Sequence, residues 1–110
     1  MLWLMRLAAV SAAVAIAAGA FGAHRFTGKE ADWLRTGGFY QLVHAVAVLA
    51  LVRNTAPAPL WTLLAGAALF AATLYAMALG APRWFGAITP IGGALMIGGW
   101  LWLAWKLRGA

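Results

Sequence analysis

The placement of charge constrains this chain more than any other feature. Only ten of its 110 residues are Lys, Arg, Asp or Glu, and they leave four long charge-free runs. Eighteen residues separate Arg6 from Arg25, 17 separate Arg35 from Arg53, 29 separate Arg53 from Arg83, and 22 separate Arg83 from Lys106. A membrane-crossing helix needs about 20 mainly apolar residues. Each run therefore holds one crossing, since even the longest is too short for two. The apolar share is 65% and the mean hydropathy +0.88. A soluble chain of this size has too little interior to hide that much apolar surface. A soluble domain, a disordered tail and a coiled coil are excluded. The expected fold is all-α, an integral membrane four-helix bundle forming a single domain over 1–110, with the lipid bilayer as its solvent.

Helix-end signals place helices at about 4–23, 30–52, 60–79 and 90–107. Thr27-Gly-Lys-Glu30 reads as a capping box, in which the Thr27 hydroxyl accepts from the Glu30 N–H. Gly37-Gly38 reads as a bend, so the second crossing proper is expected over 37–53. Pro57 and Pro59 suit a loop or a first helical turn. Gly80 suits a left-handed cap, and Pro82 stops further helix. Thr89-Pro90 reads as N-cap and first helical position. The fourth helix is then barely long enough, so the crossing is expected to begin near 86, through a bent or non-helical 84–88. The N-terminal segment, with Arg6 before the apolar stretch 7–18 and small residues after it, imitates a secretory signal; it is read here as the first crossing.

The net charge is +6. The basic residues are scattered singly between apolar runs, so no basic face for nucleic acid exists. Cysteine is absent, which removes disulfides, thiolate metal sites and cysteine nucleophiles. Four spans put both ends on one side. That side carries Arg6, Arg53, Lys106 and Arg108, and the other carries Arg25, Lys29, Arg35 and Arg83. The positive-inside rule therefore ties and leaves dual insertion open.

Three segments stand out together: Gly19-Ala-Phe-Gly-Ala-His24, Tyr40-Gln-Leu-Val-His44-Ala and Gly86-Ala-Ile-Thr-Pro-Ile-Gly-Gly93. In this order they resemble the domain of unknown function 423 family, the YgdD-like small membrane proteins, which have a eukaryotic relative in transmembrane protein 256. Leu69-Phe-Ala-Ala-Thr-Leu-Tyr75 resembles the family's third span, with Ala71-Ala72 where small polar residues are common. The resemblance covers most of the chain. It implies a four-helix inner-membrane protein with both basic termini in the cytoplasm, and it implies no activity.

His44 is the sharpest chemical feature. It lies about 13 Å along a helix from Arg35, near mid-membrane, where an ionisable residue is a functional candidate by default. Tyr40 and Gln41, at i−4 and i−3, are placed on the same face. One reading is a proton or ligand site. The favoured reading is a neutral imidazole tying helices together, with Thr89 or the carbonyls freed by Pro90 as the expected partner. His24 is expected at the interface. The two histidines differ in depth by about 12 Å on straight helices, so they do not suit one haem iron, and no residues converge for zinc. No cofactor is expected. Gly19, Gly22, Gly92 and Gly93 lack the strand and the Lys-Ser/Thr of a phosphate loop. Small residues such as Ala15/Gly19, Gly19/Gly22/Ala23 and Ala94/Gly98 are read as close-packing positions. Trp3, Trp33, Trp61, Trp84 and Trp105 fall near span ends as an interfacial belt, while Trp100 and Trp102 read as lipid-facing bulk. Glu30, Asp32 and Arg35 are loop charges.

No nucleophile with a nearby base exists, so no enzyme is expected. The sequence favours a non-enzymatic accessory, assembly or structural protein with a membrane-protein partner or a second copy of itself. The alternative is a small transporter or channel using Tyr40, Gln41 and His44.

Overall fold

The computed structural model describes residues 1–107; Arg108 and the rest of the expected 1–110 unit beyond residue 107 lie outside the described residues. Four helices follow one another: α1 (Leu2–His24), α2 (Gly28–Leu51), α3 (Pro57–Ala78) and α4 (Thr89–Leu107), with a short 3₁₀ turn at Arg83–Ala87 leading into α4. All four are long and apolar enough to cross a membrane when that turn is counted with α4. No strand occurs among the described residues. The fold is an all-α four-helix membrane bundle.

Connections are short, and each has a local cause. Gly80 has φ +109°, a conformation in which a Cβ would clash, and it ends α3 as expected. Helix α3 starts at Pro57 rather than near residue 60, because prolines at the first positions of a helix sacrifice no intrahelical bond. Thr27 is the N-cap of α2 but makes no side-chain capping bond, so the expected capping box is not formed. The expected bend at Gly37-Gly38 is also absent: α2 runs unbroken through it. Thr89 lies inside the helical run rather than capping it, because the 3₁₀ turn already supplies the preceding carbonyls. Residues 84–88 are the bent extra turn.

Helices pack in chain order, α1 on α2, α2 on α3 and α3 on α4, with only slight contact between α1 and α3. The result is a staggered row, not a closed square. One groove lies between α1 and α3 over α2, and another between α2 and α4 over α3. The apolar core sits toward the terminal ends, where Leu4, Ala8, Val48, Leu60 and Leu63 are fully buried.

Close approach depends on missing side chains. A Cβ at Gly38 would stand 2.9 Å from the Ala15 carbonyl oxygen. A Cβ at Gly92 would stand 2.5 Å from the Phe70 backbone N and 2.7 Å from the Gly66 carbonyl oxygen. The small-residue reading therefore holds for Ala15 against α2. It fails for Ala94/Gly98, which point outward: a Cβ at Gly98 would meet nothing within 4 Å. Gly92 is the residue of the Gly86–Gly93 motif that admits α3.

Candidate functional site

The polar side chains of the interior form three small hydrogen-bonded clusters that cross helix boundaries. Gln41 is buried on α2 and bridges its two neighbours. Its Nε2 donates to Ser11 Oγ on α1 at 2.9 Å, and its Oε1 accepts from the Tyr75 hydroxyl on α3 at 2.6 Å. Tyr75 reaches this level because helical side chains lean toward the helix N-terminus, here toward mid-membrane. Gly37 leaves room for its ring, since a Cβ there would stand 2.7 Å from Tyr75 Cε1.

His44 is 5% exposed. Its Nε2 accepts from the Trp100 indole N–H on α4 at 3.0 Å, and its Nδ1 lies 2.7 Å from the Tyr40 carbonyl oxygen. An indole N–H only donates and a carbonyl only accepts. The proton must then sit on Nδ1, and the ring is neutral. The aromatic rings of Tyr40 and Phe70 pack edge to face at 5.1 Å beside it. Tyr40, His44, Phe70, Met96 and Trp100 border a pocket of about 310 Å³ in the α2/α4 groove.

The third cluster joins α3 to α4. Thr73 Oγ1 and Thr89 Oγ1 lie 2.6 Å apart, and Thr73 Oγ1 also donates to the Phe70 carbonyl at 3.0 Å. Thr89 Oγ1 also reaches the Phe85 carbonyl at 3.3 Å, so two hydroxyl protons serve three contacts and either threonine can donate the shared bond.

These placements revise the expected set. His44 points inward with a partner on another helix, but that partner is Trp100, not Thr89 or the Pro90 region. Both His44 and Trp100 lie seven residues before the end of their helices, so their depths match, whereas Thr89 belongs to the opposite end of α4. Tyr40, Gln41 and His44 do not act on one face: Gln41 sits about 60° round from His44 and 100° from Tyr40 at 3.6 residues per turn. That angle is enough to turn it toward α1 and α3. Pro90 is exposed, and His24 stands exposed at the end of α1, so neither joins a cluster. Trp100 is anchored inward through its N–H rather than being lipid-facing bulk alone. Ser11, Thr73 and Tyr75 were missed as site residues. The signal for them was simple: each is a polar side chain inside an apolar run, and such groups need a partner in a membrane.

No group of three or more His, Asp or Glu that could hold a metal occurs among the described residues. A family model described as a protein of unknown function, DUF423, matches residues 18–93. The chain belongs to the DUF423 family. The DUF423 chain is 40% identical to a UPF0382 membrane protein of Staphylococcus epidermidis over 106 residues, 86% of each chain. It is 37% identical to a UPF0382 membrane protein of Haemophilus influenzae, covering 92% of this chain and 90% of the relative. It is 34% identical to the UPF0382 inner membrane protein YgdD of Escherichia coli K12, covering 89% and 83%. No solved structure matches it. The match and the four apolar helices make this DUF423 chain a multi-pass membrane protein.

Proposed function

We propose that this chain is a non-enzymatic accessory, assembly or structural protein of the bacterial inner membrane, with both termini in the cytoplasm. It docks on a membrane-protein partner or on a second copy of itself. One observation carries the reading: the polar groups of the interior are taken up by one another. Every buried side-chain nitrogen or oxygen among the described residues has a hydrogen-bond partner within the protein. A solute path would need such groups facing a hydrated cavity, because irregular or polar surface at membrane depth requires water or protein beside it. Here Ser11, Gln41, Tyr75, His44, Trp100, Thr73 and Thr89 join helices to one another, as the ties of a scaffold do. The inner-membrane placement draws on the name of the Escherichia coli relative.

The alternative, a small transporter or channel, draws on the pocket beside Tyr40 and His44. Purification in mild detergent followed by mass spectrometry of what co-elutes, with proteoliposome flux assays in parallel, separates the two. A defined partner or a discrete oligomer is the expected result. A lone monomer that conducts ions or solutes, and loses that conduction in His44→Leu, overturns the accessory reading.

A further inference from the structure

We propose that the corner where α1 turns into α2 binds an anionic diacyl phospholipid, its phosphate on Arg25 and its acyl chains in two adjoining clefts. The larger cleft, about 580 Å³, is walled by Val14 and Phe21 of α1, Leu34 of α2, Tyr75 of α3 and Leu79 just beyond the end of α3. A second, of about 330 Å³, runs along the outer side of α1 past Ala17, Ala20 and His24. A cleft between helices and an open depression on the outer face of α1 thus meet at one cation, Arg25, with Phe21 and Ala17 bordering both. That is the plan of a lipid with two chains and one charged headgroup.

Charge selects the headgroup. Arg25 directly follows the last residue of α1, at the depth of the membrane surface. The only acids of the chain are Glu30 and Asp32. Among the described residues the single ion pair is Arg35 with Asp32, at 3.9 Å, so the Arg25 guanidinium has no carboxylate. Its planar fork matches two phosphate oxygens at once. Val14, Phe21 and Leu79 are exposed, so the larger cleft opens sideways to the acyl region. A free phosphate would use none of these apolar walls. The site shares only Tyr75 with the polar clusters, through the wall its ring forms, and it does not depend on the accessory reading.

The full chain is reconstituted in phosphatidylcholine vesicles with and without phosphatidylglycerol, released into detergent, and examined by native mass spectrometry. The wild type is expected to retain phosphatidylglycerol and not phosphatidylcholine. Arg25→Gln should lower that retention about fivefold, the effect of one basic residue at an anionic surface. Ala17→Phe, at an exposed position, should cause a comparable loss by blocking both clefts while leaving every charge in place. Arg6→Gln, at the other end of α1, should change nothing. The proposal is overturned if phosphatidylcholine is retained equally, or if Arg25→Gln and Ala17→Phe both keep the full adduct. It is also overturned if soluble glycerol phosphate displaces the lipid, because acyl chains would then play no part.

Discussion

At the scale of single residues, the bond between Trp100 and His44 shows how a membrane interior treats polar groups. An indole N–H facing hydrocarbon would stay unpaired, and so would the imidazole lone pair; together they satisfy each other and join α2 to α4, whose backbones do not touch. Interhelical hydrogen bonds in membranes contribute about 0.6 kcal/mol on average and rarely more than about 1.7. His44→Leu should therefore lower stability by about 1 kcal/mol, and Trp100→Phe by a similar amount. The double variant should fall short of their sum, because either change alone already breaks the bond. Equilibrium unfolding in mixed micelles measures all three. His44→Gln should be milder than His44→Leu, since a side-chain carbonyl can still accept from the indole. Gln41 ties three helices where His44 ties two. Gln41→Leu should accordingly destabilise more than Ser11→Ala, since it orphans both the Ser11 and Tyr75 hydroxyls. Equal losses in the same titration would mean that the Tyr75 bond contributes nothing.

At the scale of helices, contact distance decides what each glycine does. Along one helix, Gly92 faces the α3 backbone, Gly93 borders the pocket beside His44, and Gly98 faces outward, the last two with open space. A side chain at Gly92 must push α4 off α3, which overpacking data place at about 1–3 kcal/mol or more. Gly92→Val is expected to reduce the yield of folded protein and its melting temperature. Gly98→Ala should be neutral or gain up to about 1 kcal/mol, since alanine is the better helix former. A thermal melt of the two variants beside the wild type is the check. The helix ends carry the complementary device. Arg6 lies over the Trp3 ring at 5.3 Å, and Lys29 over Trp33 and Lys106 over Trp105 at 5.8 Å. Each pair puts a cation and an amphipathic ring near a helix end, where headgroups favour both.

At the scale of the whole molecule, the staggered row leaves two lateral grooves and long apolar outer faces. The proposed orientation puts both termini on the cytoplasmic side. A single cysteine added at the C-terminus should then resist a membrane-impermeant reagent in intact cells and react after lysis. Labelling from outside would reverse the orientation. Labelling of about half the molecules would indicate dual insertion, which the evenly divided basic residues allow.

The number of apolar helices and the all-α class were legible in the sequence, because each follows from a one-dimensional quantity: the length of an apolar run against the thickness of a bilayer. The inward aim of His44 was legible for the same reason, since a polar ring cannot face hydrocarbon without loss. Its partner was not. Choosing Trp100 over Thr89 requires knowing how deep each residue lies on two parallel helices and which side chains meet across the groove between them. The separation of Gln41 from His44 turned on about 60° of rotation, a matter of which neighbour stands on which side of α2. Likewise Gly37-Gly38 and Ala94/Gly98 carry the same small residues, but only the packing of α2 between α1 and α3, and of α4 on α3, determined which pair admits a neighbour and which stays open. Local sequence sets the propensity of a segment to cross the membrane; contacts between segments distant in the chain are decided by tertiary packing.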